Sequence, residues 1–115
     1  MPTQTVAQHF EGRPPAIRAT YNAILKAAKK LGPFQEYPKK TSIHLNRKSA
    51  FAGVATQKKA LILTVRSTKE LDGPRVVKSE QVSASRWHVE VRLESPSDVD
   101  SKVRDWLAAA YELSV

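Results

Sequence analysis

The stretch PKKTSIHLNRKSAFAG, Pro38 to Gly53, gathers most of the side chains that could do chemistry in this chain. It holds Lys39, Lys40, Arg47 and Lys48, the hydroxyl of Ser42, the imidazole of His44 and the amide of Asn46, and it holds no acid. Such a set suits an anion. Guanidinium groups donate in a planar fork that matches phosphate or carboxylate, and ammonium groups act as compact point charges. Arg66, Arg86, His88 and Arg92 add to the set further along. These eleven residues form the expected ligand-binding group.

Catalysis has less to draw on. Between residues 39 and 92 the only carboxylates are Glu70, Asp72, Glu80 and Glu90. There is no G-x-S-x-G elbow, no phosphate-binding glycine loop and no H-E-x-x-H. An enzyme using His44 or His88 as acid or base, with Lys40 or Arg92 holding an anionic substrate, is the competing reading. Ser42, His44 and Glu90 are the one triad that can be drawn, and nothing in the sequence brings them within reach of one another. No catalytic residue is assigned. The absence of cysteine removes thiol catalysis, disulfides and thiolate metal sites. The three histidines, His9, His44 and His88, lie far apart, so neither a metal nor a cofactor is expected.

The charge balance points the same way as the local chemistry. Nineteen basic against eleven acidic residues give a net charge of +8, and residues 39–92 carry twelve of the basic and four of the acidic side chains. A positive field attracts anionic partners and speeds their encounter without bearing on the fold. The expected partner is nucleic acid or a small molecule bearing phosphate or carboxylate. Sheet platforms for single strands rely on exposed aromatics. Here Trp87 alternates with Val89 and Val91 and is expected inward, Phe51 goes with the core, and Tyr37 alone looks free. Nucleic-acid recognition would then be electrostatic and unspecific. A third reading is a protein-interaction module, forming a homodimer through an open sheet edge or serving a larger protein partner.

The elements that position these residues follow from periodicity. TQTVAQHFEG reads as one or two helical turns, with Thr3 or Thr5 as cap and Gly12 as stop. In PPAIRATYNAILKAAKKLGP, Ile17, Tyr21, Ile24, Ala28 and Leu31 recur on one helical face, Pro15 suits the first turn, and Gly32-Pro33 ends the helix. From Phe34 the period becomes two. TSIHLN, AFAGVAT, ALILTVRS, RVVKSEQV and RWHVEVRLE read as strands, the fourth as an edge, with a bulge or close packing expected at Gly53 and a turn at Asp72-Gly73-Pro74. SPSDVDSKVRDWLAAAYELS closes as a helix capped by Ser95, with Pro96 in its first turn, Asp98 completing a capping box, and Val99, Val103, Trp106, Leu107, Ala110 and Leu113 as its buried stripe. Trp106 is expected in the core and Tyr111 at its edge.

Short consecutive strands with helices at both chain ends make the expected fold α+β: one domain over residues 1–115, an antiparallel sheet of about five strands, and N- and C-terminal helices packed on one face. The other face, with His44, His88 and Arg92, is then at least partly open to water. The N-terminus lacks a basic segment followed by an apolar run, and no window is apolar enough to span a membrane. A soluble cytoplasmic protein with no membrane partner is the expectation.

KKTSIHLNRKSAFAGVA, LILTV and RWHVEVRLESPSDVDSKVRDWLAAAYEL, in this order and spacing, resemble the bacterial and archaeal domain of unknown function 5655 from about Pro14 to Leu113. The most telling pieces are Lys40-x-Ser42-Ile43-x-Leu45, Phe51-Ala52-x-Val54, Val99-Asp100, Trp106-Leu107 and Ala110-Tyr111. More distantly, the plan is similar to the YdhG-like α+β domains, whose sheet is covered by helices on one side. The resemblance implies a fold and an accessory module found alone or appended to longer proteins, not an activity. Relatives often carry two adjacent histidines in the late strand. Here His88 is followed by Val89.

Overall fold

The computed structural model describes residues 5–73 and 75–114, so the expected cap Thr3 and turn residue Pro74 lie outside the described residues. The fold is α+β with a wholly antiparallel sheet. Its strands are β1 Gln35–Pro38, β2 Ile43–Asn46, β3 Ala50–Thr56, β4 Leu61–Ser67, β5 Val76–Ser83 and β6 Arg86–Leu93, in the spatial order β1-β2-β3-β4-β6-β5.

Six strands stand where about five were expected, and the addition is β1. Its QEYP sequence shows no alternation because three of its four residues are exposed, so no apolar face marks it. Pro38 is tolerated there because an edge strand has one side with no ladder to complete. The phenol of Tyr21 donates to Glu36 Oε1 at 2.5 Å and ties β1 to the first helix. Burial, then that hydrogen bond, hold the phenol well above its ordinary pKa.

Alternation divides the sheet into two faces. Ile43, Leu45, Val54, Leu61, Leu63, Val65, Val89, Val91 and Leu93 are all buried and belong to one cluster. That cluster also takes in Ile17, Tyr21, Ile24 and Ala28 of helix α1 (Pro15–Lys29) and Val103, Leu107 and Ala110 of helix α2 (Ser101–Leu113). Helix α2 contacts β3 and β4, and α1 contacts α2 and β4. The expected irregularity at Gly53 lies two residues earlier. Leu45 pairs with Ala52 and Asn46 with Ala50, which leaves Phe51 unpaired, while Gly53 pairs regularly with His44 and Thr64. The bulge turns Phe51 fully inward, where its ring meets Phe34 and Tyr111 edge to face at centroid distances of 5.9 and 5.2 Å.

The helix ends follow their capping chemistry. Thr5 and Gln8 bond each other's backbone N–H groups and start a 3-10 turn over Ala7–Phe10. Pro15 is the first residue of α1, as its missing N–H allows. The C-terminal helix begins later than expected. Pro96–Asp98 is a separate 3-10 turn, the chain breaks at Val99, and Asp100 caps α2 by accepting from Val103 N at 3.1 Å. Arg75 bridges Asp100 at 2.8 Å and Asp98 at 3.4 Å in this arrangement. Asp98 accepts from Glu94 N instead. Val99 is buried, but from outside the helix.

Tyr111 is buried rather than at the core's margin, and its hydroxyl donates to the Pro33 carbonyl at 2.8 Å. Trp106 packs against the core yet stays half-exposed.

Candidate functional site

The polar positions of the strands line up in rows across the sheet. One row runs Tyr37, His44, Gly53, Thr64, Glu90, Lys78. A neighbouring row brings Asn46 opposite Ala50, and Arg66 opposite His88 and then Glu80. On the far side of the first row stand Ala55, Ile62 and Arg92. Side chains on alternate residues of a strand project to the same face. The middle strand β3 presents only Ala50, Gly53 and Ala55 there.

Small residues between larger neighbours leave a trough of about 330 Å³ along β3. Ser42 and His44 border it from the β2 side, Thr64 and Arg66 from β4, and His88 from β6. From Ser42 to Asn46 the strand rises roughly 13 Å, at about 3.3 Å per residue. At one end the β1–β2 turn, closed by Lys39 N donating to Ser42 O at 2.7 Å, carries the exposed Lys39 and Lys40. At the other end Arg66 donates to Ser49 Oγ at 3.1 Å. Beside Ala50 there, the side-chain oxygen of Asn46 is buried with no donor among the described residues. A buried acceptor without a partner costs about 1–3 kcal/mol.

The expected ligand-binding residues thus divide. Ser42, His44, Arg66 and His88 meet around the trough, and Asn46 stands at its end. Lys39 and Lys40 rim the Ser42 end. Lys48 is exposed in the β2–β3 turn. Arg47 is turned to α2, where it lies 4.4 Å from the Tyr111 ring centroid and donates to the Tyr111 carbonyl. Arg86 donates to the adjacent Ser85 carbonyl in the β5–β6 hairpin. Arg92 pairs with Glu94 at 3.1 Å, outside the trough. Thr64 and the three small floor residues were not among the expected set. The signal for them was the run AFAGVAT, whose polar-face positions are all small.

His44 and His88 border one trough but do not converge. Three interstrand steps separate their strands, a span of about 14 Å at about 4.8 Å per step. Glu80, opposite His88, has its carboxylate 3.6 Å from the Lys78 ammonium. Among the described residues no three His, Cys, Asp or Glu side chains gather in a metal-holding group. No helix among them is long and apolar enough to cross a membrane. Hydroxyl, imidazole and guanidinium groups therefore border the two long sides of a floor made of small residues.

No curated protein and no solved structure matches the chain at a significant level. The family described as Domain of unknown function (DUF5655) matches it over residues 6–114, nearly its whole length, and the chain belongs to that family.

Proposed function

We propose that this domain is a non-catalytic binding module whose polar sheet face takes an anionic ligand along β3, with the two helices covering the opposite face. The observation that carries the reading is the trough itself: Ser42, His44, Thr64, Arg66 and His88 around the small residues Ala50, Gly53 and Ala55. Glu90 stands beside Thr64 and Glu80 beside His88, so the anion lies toward β2 and β3, away from these carboxylates. The hydroxyls of Ser42 and Thr64 and the two imidazoles can donate or accept, so a ligand with hydrogen-bonding groups as well as negative charge fits, and single-stranded nucleic acid has both. Tyr37, exposed and in register with His44, gives one ring on which a base can stack. The separation of His44 from His88 favours binding over paired acid–base chemistry.

Fluorescence anisotropy of a labelled single-stranded oligonucleotide over a range of salt tests this. Contacts to two or three phosphates, from Arg66, Lys39 and Lys40, predict a slope of log K against log salt of about −1.4 to −2.1. Arg66→Gln then flattens it by about 0.7. No binding at low salt, or an unchanged slope in the variant, contradicts the reading.

The β5 edge favours a second reading, self-association, because Val77 and Val82 there are 56% and 47% exposed. Lys78, Glu80 and two breaks in register along β5 work against edge-to-edge pairing. Sedimentation velocity decides: a monomer supports the binding module, and a dimer dissociated by Val77→Lys supports self-association.

A further inference from the structure

A larger hollow, about 430 Å³, lies between α2 and the loop that follows β4, with Arg66 between it and the trough. Trp106, Ala109 and Leu113 of α2 form one wall, and residues 66–72 form the other. Trp106 is the anomaly that draws attention to it. Val103, Leu107 and Ala110, on the same helical stripe, are at most 1% exposed, whereas the indole is only half-buried. The loop passes close over the ring: a Cβ on Gly73 would stand 3.5 Å from Trp106 Cη2. Leu71 is buried and anchors this loop to the core. The indole thus flanks the slot, with Gly73 of the loop against one edge of the ring.

The mouth of the slot is charged. Lys102 Nζ lies 6.0 Å from the Trp106 ring centroid, and Lys69, Glu70 and Asp72 border the hollow. Among the described residues none of these four side chains forms an ion pair. With Arg66 the lining carries three bases against two acids, so Lys69 and Lys102 are available to an incoming anion at the edge of an aromatic wall. The volume falls within the range of small-molecule sites, which are apolar inside with a few polar groups to fix orientation.

We propose that this hollow is a second binding site, for a small planar aromatic anion whose ring stacks against Trp106 and whose charged group meets Lys102 and Lys69. An offset aromatic pair is favoured over a ring against aliphatic side chains alone. The proposal does not rest on the trough ligand. Arg66 borders both hollows, so the test uses variants from α2 and the loop instead.

The test follows the Trp106 indole N–H and the backbone amides of the labelled protein by NMR, with 2-naphthoate as probe. The controls are uncharged 2-naphthamide and non-aromatic cyclohexanecarboxylate. Saturable shifts are expected at Trp106, at residues 69–73 and at Lys102, with naphthoate the tightest binder. Lys69→Gln with Lys102→Gln, both exposed and tolerant of change, is expected to weaken naphthoate about tenfold and leave naphthamide unchanged. No saturable shift up to about 10 mM overturns the proposal. So does equal affinity for naphthamide, or a response confined to His44 and His88.

Discussion

Gly53 allows stability and binding to be separated at a single position. It occupies the middle of β3, between His44 and Thr64, where a side chain would rise from the floor of the trough. A Cβ there would lie 3.9 Å from Thr64 Cβ and 4.0 Å from His44 Cδ2, which is ordinary van der Waals contact. The backbone at Gly53 is not in the left-handed region, so folding does not require glycine. A strand-interior glycine costs about 0.5–1 kcal/mol relative to alanine. Gly53→Ala should therefore stabilise the domain by about that amount, raising Tm by roughly 4 °C. Gly53→Leu places a branched chain where the ligand is proposed to lie and should weaken oligonucleotide binding about tenfold or more, a loss of at least roughly 1.4 kcal/mol. Calorimetry and anisotropy on the same samples measure both. A loss of stability in the alanine variant would refute the packing argument. Unchanged binding in the folded leucine variant would refute the placement of the ligand along β3.

Other consequences concern the scaffold. Asp100 is held below the ordinary carboxylate pKa, first by the Val103 N–H and then by Arg75. Its folded value is depressed, so its stabilising charge is present above about pH 4 and is lost as pH falls through that lower value. Asp100→Ala should cost about 1 kcal/mol at neutral pH, whereas Asp100→Asn keeps the cap and should mainly flatten the acid limb of a urea-melt pH series. Gly32 has φ +147° and a Cβ there would collide with Tyr111 Oη, so Gly32→Ala should destabilise by about 2 kcal/mol or more. Because the collision is with that hydroxyl, adding Tyr111→Phe should cost less than the sum of the two single changes in a double-mutant cycle. Phe51→Ala empties the centre of the Phe34–Phe51–Tyr111 cluster and should cost about 3–5 kcal/mol in denaturant melts.

The elements with strong periodicity were legible in the sequence. The stripe of α1 and the alternation of β2, β4 and β6 follow directly from apolar spacing, and RVVKSEQV was readable as an edge because it lacks a clear buried face. β1 was hidden for a related reason: a short, exposed strand ending in proline carries no pattern. The helix expected from Ser95 starts instead at Asp100, whose cap bond to Val103 N and ion pair with Arg75, remote in sequence, are tertiary details that apolar spacing does not carry.

The site shows the same limit. Alternation placed Ser42, His44, Arg66 and His88 on one face, and strand order brought them around β3. Arg47 follows Asn46 at the end of β2, and only its contact with Tyr111, remote in sequence, shows that its guanidinium is held by α2. The depth of the trough comes from what Ala50, Gly53 and Ala55 lack, a property that a search for reactive side chains passes over.

The central claim is that the polar face over β3 binds an anion. Amide-shift NMR titration tests it most directly, adding a short single strand, a duplex and inorganic phosphate in turn, each at two salt concentrations. Shifts are expected on Ser42, His44, Gly53, Thr64, Arg66 and His88, weaker at the higher salt and largest for the single strand. No shifts on this face at low salt, for any of the three, would contradict it.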